Sequence, residues 1–147
     1  MKNFSEIQSL MKSDIEKTDE ILIERLNSNV DLINQMSHYI IASGGKRLRP
    51  LLLLLSARAT NYVGTDHHAM AVVIELIHTA TLLHDDVVDE STTRRGQDTA
   101  NELWGNAPSV LVGDFLYSRA FEIMVEPNSM AIMRILSKAT NLSLIHI

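Results

Sequence analysis

Apolar residues recur every three or four positions along most of this chain, a spacing that places them on one face of an α-helix. Residues 4–26 illustrate the pattern, with Phe4, Ile7, Leu22 and Leu26 among those on the apolar face. No stretch alternates apolar and polar residues over a useful strand length, and six Gly and three Pro are too few for a turn-rich all-β chain. The sequence therefore predicts an all-α fold.

Six helices are predicted, each bounded by a polar or glycine-containing break. Gly44–Gly45 ends the second helix because glycine readily adopts the left-handed conformation that closes a helix, and Pro50 suits the first turn of the third. Asp66 is the predicted N-cap of the fourth helix. Residues 51–55 are apolar on nearly all sides, which predicts that they lie in the core. The predicted helices cover residues 4–26, 30–42, 50–60, 67–89 and 109–125, and a last one begins near Ser129.

Charge and composition exclude several classes of protein. The net charge is −5, which argues against a nucleic-acid binder and against general electrostatic attachment to anionic lipid. No cysteine is present, which excludes a disulfide scaffold, a thiolate metal site and a cysteine nucleophile. Residues 1–20 lack the apolar core of a signal peptide, and residues 51–55 are too short to span a bilayer. We therefore predict a soluble, cytoplasmic protein without a transmembrane segment.

The acidic motif at residues 84–89, HDDVVD, is the strongest chemical signal in the chain. At about 100° per residue on a helix, Asp85 and Asp89 lie one turn apart and point the same way. Two adjacent carboxylates repel each other unless a cation lies between them, and hard oxygen ligands at this spacing suit Mg²⁺. A solvated acidic helix end is the simpler interpretation of the motif alone, but carboxylates at a helix C-terminus also oppose the helix dipole.

Two basic segments accompany the acidic motif. Residues 44–50, GGKRLRP, carry three cations within four residues, and Arg94 and Arg95 follow the acidic motif. Arginine offers a planar fork of donors to phosphate oxygens, and lysine offers a point charge. His78 lies two turns before Asp85 on nearly the same helix face, which favours substrate contact over a purely structural role. Solvated loops and charge balance are the alternatives for each segment, but together they indicate two polyanion sites beside one metal site.

Three motifs occur in the order GGKRLRP, LIHTATLLHDDVVDESTTRRG and NAPSVLVGDFLYSRAF. Over residues 21–141 the chain resembles the N-terminal half of the trans-isoprenyl diphosphate synthase family, and within it the bacterial octaprenyl diphosphate synthase group. The resemblance implies an all-α, isoprenoid-synthase-type helical bundle around a central cavity. The implied reaction condenses isopentenyl diphosphate with an allylic diphosphate such as farnesyl diphosphate, with Mg²⁺ as the cofactor. The implied product is a long-chain all-trans polyprenyl diphosphate for a quinone side chain, such as that of ubiquinone.

The resemblance also implies roles for individual residues. Asp85 and Asp89 would bind Mg²⁺ with Asp86 supporting them, as the catalytic carboxylates. Arg94 would contact the allylic diphosphate. Four residues would hold the diphosphate of isopentenyl diphosphate, namely Lys46, Arg49, His78 and Arg95.

The resemblance further implies a long product and an incomplete chain. Ala80 and Thr81 stand where bulky aromatic residues stop the product early in other members, so small side chains here leave the tunnel open. Longer family members carry a second aspartate-rich motif, whereas LSLIHI follows Asn141. We therefore expect residues 1–141 to be the N-terminal part of a polyprenyl synthase domain and residues 142–147 to be a non-native tail. We also expect a homodimer at full length and no activity from this truncated chain alone.

Two other functions are compatible with parts of the sequence. His84 and Asp85 could belong to a metal-dependent phosphohydrolase of the HD type, with His67 or His78 as further ligands. That hypothesis leaves GGKRLRP and the arginine pair without a role. A non-catalytic helical subunit that retains a diphosphate site is the second alternative, because some prenyl synthases are heteromeric.

Overall fold

Eight helices and one short hairpin make up the computed structural model over residues 3–145, the part of the chain that it describes; side chains are described through Leu142. The predicted all-α fold is confirmed. The helices are α1 (Phe4–Leu10), α2 (Lys12–Leu26), α3 (Asp31–Ala42), α4 (Leu48–Ala59), α5 (Asp66–Val88), α6 (Ala100–Trp104), α7 (Asn106–Val125) and α8 (Met130–Ile145). The strands β1 (Thr93–Arg94) and β2 (Gln97–Asp98) pair antiparallel.

The helix predicted for residues 4–26 is two helices that meet at Met11. The backbone there has φ −101° and ψ 7°, which interrupts the regular helix. The Met11 side chain is 1% exposed and packs in a small cluster with Leu51 and Leu54 of α4. The apolar spacing continues across the break, so periodicity alone does not reveal it.

Two details of the predicted helix boundaries are wrong. Asp66 is the first residue of α5, and the N-cap position belongs to Thr65, whose side chain makes no capping hydrogen bond. The helix predicted to start at Ser109 begins at Asn106. Pro50 does lie in the first turn of α4, as predicted, because a helix start needs no donor from that residue.

The segment 91–101, predicted as a loop, contains the hairpin and the start of α6. Strands of two residues are too short to produce an alternating apolar pattern, so the sequence gives no strand signal here. Arg95 and Gly96 connect the strands and both have positive φ, 55° and 78°. Two such residues in a two-residue loop are typical of a type I′ turn, whose twist matches that of the paired strands.

Helix α5 is the central element of the core. It packs against α2, α4 and α7, and residues on nearly every side of it are buried. The prediction that residues 51–55 lie wholly in the core is wrong in part, because Leu51 and Leu54 are buried but Leu52 is 62% exposed. The acidic motif therefore stands at the end of a helix that the core holds in place.

The described part of the chain contains no helix that is both long enough and apolar enough to cross a membrane. The backbone of α8 continues as far as Ile145, through most of the segment 142–147. Residues 146–147 of that segment lie outside the described residues. The non-native tail stays a prediction.

Candidate active site

The acidic motif occupies the last turn of α5, as the sequence predicts. Asp89 is the C-cap residue, and its backbone N–H donates to the carbonyl oxygen of Asp85 at 2.8 Å, which places the two residues one turn apart. Asp89 is exposed and Asp85 is half-buried. Asp86, about 100° further round the helix, is only 4% exposed.

Asp85 has the environment of a cation ligand. Its Oδ1 atom is buried and has no hydrogen-bond partner in the described structure. Burial raises the pKa of Asp85, and the negative charge of Asp89 raises it further, while Arg94 opposes the shift. The two carboxylates repel each other, and one of their oxygens has no hydrogen-bond partner. A divalent cation that prefers oxygen ligands would stabilise such a pair. The residues present therefore fit Mg²⁺, with Asp85 and Asp89 as its ligands.

Asp86 forms an ion pair with Arg94 instead of facing the same way as Asp85. Nε of Arg94 donates to Oδ1 and Oδ2 of Asp86 at 3.0 and 3.1 Å, and Nη2 donates to Oδ1 at 2.7 Å. The hydrogen bond to Asp86 is the main reason that the pKa of Arg94 is raised. This pair ties β1 to the end of α5 and leaves Nη1 of Arg94 outside the contact with Asp86.

Arg95 extends from the hairpin towards the basic segment 44–50. A Cβ atom built on Gly45 would lie 2.6 Å from Nη1 of Arg95, so the Arg95 guanidinium lies directly against this glycine. Lys46, the next residue, is exposed. The turn at Arg95 and Gly96 therefore brings a fourth cation beside the GGKRLRP segment.

Arg49 and His78 are in direct contact, as expected for residues that share one anion site. Nη1 of Arg49 lies 3.0 Å from Nε2 of His78. Burial lowers the pKa of His78, and the charges of Arg49, Arg95 and Arg94 lower it further, so the ring is neutral at pH 7 and can accept this hydrogen bond. Within the described residues, Lys46, Arg49 and Arg95 form no ion pair with a carboxylate, which leaves three cations available to an anion.

The sequence analysis missed an ion-pair network beneath the basic segment. Arg47 adopts the left-handed conformation, with φ 47°. Its Nη1 donates to Oε1 of Glu75 at 2.6 Å, and its Nε lies 3.8 Å from Oδ1 of Asp19. Glu75 is a charged residue in the otherwise apolar sequence VVIELI and precedes His78 by one turn, which is a signal that could have identified it. The network fixes the loop that carries Lys46, and the start of α4 that carries Arg49, to α2 and α5.

A cavity of about 70 Å³ lies behind these residues. Its charged end includes His78, Asp86 and Arg94, and its apolar end includes Leu26 and Leu83. Asp85 and Asp89 are not among its lining residues. The cavity therefore belongs to the arginine side of the site, and the proposed metal ligands lie outside it.

Ala80 and Thr81, the predicted chain-length residues, are both buried. Ala80 is fully buried in the main core cluster, and Thr81 is 4% exposed and donates from Oγ1 to the carbonyl oxygen of His78 at 2.7 Å. Neither residue lines the cavity described above. Their role in product length stays a prediction.

The phosphohydrolase hypothesis finds no support in this geometry. His67 lies 17 positions before His84 on the same helix, a separation of about 26 Å at 1.5 Å per residue. His78 lies seven positions before Asp85, or about 10 Å, and is bound to Arg49. Neither histidine can share a metal ion with the acidic motif.

The Asp86–Arg94 pair gives a testable prediction about stability. We expect Arg94→Met to lower the free energy of unfolding by about 2–3 kcal/mol, because it leaves the Asp86 carboxylate buried without its partner. Chemical denaturation of the purified chain measures this difference. The matched control is Arg25→Met, which removes a surface pair with Glu126 at 2.6 Å and should cost less than about 1 kcal/mol. Equal costs for the two variants would contradict a structural role for the Asp86–Arg94 pair.

Known proteins match this chain over the segment that contains the acidic motif and both basic segments. The polyprenyl synthetase family profile matches residues 30–145. Octaprenyl diphosphate synthase of Escherichia coli is 51% identical over 139 residues, which cover 95% of this chain and 43% of that protein. The all-trans-nonaprenyl-diphosphate synthase (geranyl-diphosphate specific) of Rhodobacter capsulatus is 42% identical over 92% of this chain and 42% of its own length.

Solved structures agree in fold. A polyprenyl synthase from Caulobacter crescentus, complexed with calcium and isoprenyl diphosphate, superposes with a TM-score of 0.91 at 45% identity, over 95% of this chain and 42% of that one. A decaprenyl diphosphate synthase from Rhodobacter capsulatus gives a TM-score of 0.90 at 42% identity, over 95% and 43%. The chain thus spans less than half the length of these relatives. On the family profile and these identities, the chain belongs to the polyprenyl synthetase family.

Proposed function

We propose that this chain supplies the first metal site and the diphosphate-binding cations of a long-chain trans-prenyltransferase. The reaction is the condensation of isopentenyl diphosphate with an allylic diphosphate such as farnesyl diphosphate. The observation that carries the proposal is the Asp85–Asp89 pair. The buried Oδ1 of Asp85 has no hydrogen-bond partner, and the pair lies beside the hairpin that carries Arg94 and Arg95. This combination suits a magnesium diphosphate better than it suits either a bare anion or a bare cation.

In this proposal Arg94 binds one diphosphate, and the cations near the start of α4 bind the other. Arg94 is held by Asp86 beside the acidic motif, so it is placed to donate to the oxygens of the allylic diphosphate that the carboxylates repel. Mg²⁺ bound by Asp85 and Asp89 would neutralise charge on that diphosphate and make it a better leaving group. In this proposal Asp86 acts by orienting Arg94.

The second diphosphate site is formed by residues of three elements. Lys46 and Arg49 come from the start of α4 and the loop before it, Arg95 comes from the hairpin turn, and His78 comes from α5. We propose that these residues hold the diphosphate of isopentenyl diphosphate. Arg49 is held by its contact with His78, so little conformational entropy is lost at this side chain when the anion binds.

Five finer assignments belong to this proposal. The names of the relatives, octaprenyl, nonaprenyl and decaprenyl diphosphate synthases, support a long product, and we propose a quinone side chain such as that of ubiquinone as its use. We propose Mg²⁺ as the resident cation from the oxygen ligands of the acidic motif. A homodimer for the longer protein and a location in the cytoplasm complete the proposal.

A chimaeric enzyme tests the function directly. Residues of this chain replace the matching N-terminal region of the Escherichia coli octaprenyl diphosphate synthase, to which they are 51% identical. We expect the chimaera to convert labelled isopentenyl diphosphate and farnesyl diphosphate into long prenyl diphosphates in the presence of Mg²⁺. A folded chimaera that binds both diphosphates without turnover would instead support the non-catalytic subunit.

Ala80 gives a prediction about product length. We expect Ala80→Phe in the chimaera to shorten the product, because the ring enters the path proposed for the growing chain. Chromatography of the dephosphorylated products measures the length distribution. Ala120→Phe is the matched control, since Ala120 is also fully buried and a ring there overpacks the core of α7 without approaching the acidic motif. An unchanged product distribution in Ala80→Phe would show that chain length is set elsewhere.

A further inference from the structure

The other end of α5 carries a second cluster of side chains that can bind a metal. Asp14 of α2 approaches His67 and His68 in the first turn of α5, and each residue offers one donor atom within 4.8 Å of the others. Within the described residues, no other group of three or more such side chains comes this close together. His68 and Asp85 are 17 positions apart on one helix, about 26 Å, so this cluster is separate from the proposed active site.

Asp14 is held in place by contacts with an arginine and a histidine. Oδ2 of Asp14 accepts a hydrogen bond from Nε of Arg58 and also lies 2.8 Å from Nη2 of Arg58. Oδ1 of Asp14 lies 3.2 Å from Nε2 of His68. The side chains of Asp14 and His68 are each 17% exposed. Arg58 fixes the orientation of the carboxylate through one oxygen, as residues around a metal site commonly do for a ligand, and the other oxygen faces His68.

The environment of His67 is not explained by the ion pairs of Asp14. Its buried Nδ1 has no hydrogen-bond partner, and a buried polar atom without a partner calls for an explanation such as a bound ion. Its ring lies between Tyr62, at 5.5 Å, and His68, at 3.9 Å between ring centroids.

We propose that Asp14, His67 and His68 form a site for a transition-metal ion, with Zn²⁺ as the best match. Two imidazole nitrogens and one carboxylate oxygen are a common zinc ligand set, and a water would complete the tetrahedron. Mg²⁺ and Ca²⁺ prefer all-oxygen ligands, so the cluster discriminates against the cation that suits Asp85. The bound ion would tie α2 to the start of α5. This inference does not depend on the proposed prenyltransferase function.

Calorimetric titration of the full 147-residue chain with Zn²⁺ tests the site. The titration is done in excess Mg²⁺, which occupies the oxygen ligands of the acidic motif. We expect one tightly bound Zn²⁺ per chain and a rise in the melting temperature on binding. His68→Gln keeps a donor towards Asp14 but removes a ligand nitrogen, and should weaken Zn²⁺ binding by at least about 10–100-fold.

His38→Gln is the matched control, because His38 is exposed on α3 and should leave Zn²⁺ affinity unchanged. His67→Gln is a second test that spares the contact with Asp14, so the result does not depend on one variant folding. Co²⁺ substitution adds a spectroscopic signature, the visible absorption of a four-coordinate ion with nitrogen ligands. Absence of Zn²⁺ binding by the wild-type chain, or equal affinity in the His38 and His68 variants, would overturn the proposal.

Discussion

Replacing Asp85 with alanine in the chimaeric synthase should lower turnover by about 1,000-fold, while the helix content stays unchanged. Charge stabilisation by a metal ion is worth several kcal/mol in the transition state, and each 1.4 kcal/mol corresponds to about a factor of ten in rate. The Oδ1 atom of Asp85 is buried and has no partner, so the substitution removes the proposed metal ligand without breaking an internal hydrogen bond of that atom. Incorporation of labelled isopentenyl diphosphate at saturating Mg²⁺ measures the effect.

Two controls separate the metal from general damage to the site. Glu102→Ala removes an exposed carboxylate of α6 and should leave turnover within about twofold of the chimaera, since a surface substitution there changes stability by no more than about 0.5 kcal/mol. Mn²⁺ titration followed by electron paramagnetic resonance should show weaker binding in Asp85→Ala than in Glu102→Ala. Near-normal turnover in Asp85→Ala would remove Asp85 from the metal site.

The roles of the neighbouring aspartates show how far sequence reasoning reaches. Helical geometry alone predicts that Asp85 and Asp89 share a face and that Asp86 points elsewhere. The structure agrees, with Asp86 buried and Asp85 half-buried. What Asp86 does there depends on Arg94, because the chain must leave α5 and enter β1 before the two side chains can meet. A contact of this kind depends on tertiary structure, and no local pattern predicts it.

The helices were predictable for a physical reason, and so were the errors. Burial on one side of a helix requires apolar residues every three or four positions, so helices that pack on the core can be recognised from the sequence. The break at Met11 keeps that spacing, and the strands Thr93–Arg94 and Gln97–Asp98 are too short to show any. Both features are decided by what the residues contact rather than by their own periodicity.

The basic segment shows the opposite case, because the sequence identifies its cations but not the ion pair that supports them. Lys46 and Arg49 stand out as cations, and Arg47 between them appears equivalent. In the structure Arg47 instead turns inward, in the left-handed conformation, and pairs with Glu75. The ion pair with Glu75 neutralises the charge of Arg47 and so reduces the repulsion among the three cations of the segment. The ion pair thereby leaves the other two cations free to bind an anion.

The 147-residue chain by itself should form no prenyl product from isopentenyl diphosphate and farnesyl diphosphate, even at saturating Mg²⁺. The reaction needs the charge of a departing diphosphate to be neutralised and water to be excluded from the reacting carbon. At the acidic end of α5, Asp89 is exposed and the neighbouring Val88 is 74% exposed, so the described residues leave this end open to solvent. Incubation with labelled isopentenyl diphosphate, followed by extraction of the prenyl products, measures the activity.

The same chain should nevertheless bind diphosphate, because binding needs only the groups that the structure brings together. Calorimetry with inorganic diphosphate and Mg²⁺ should give measurable affinity that Arg49→Met weakens by about tenfold, as expected for the loss of one charge-assisted hydrogen bond. The chimaera, assayed beside the chain, establishes that the substrates and conditions support turnover. Product above background from the chain alone would mean that Asp85 and Asp89 suffice as metal ligands, and that an enclosed cavity is unnecessary for the reaction.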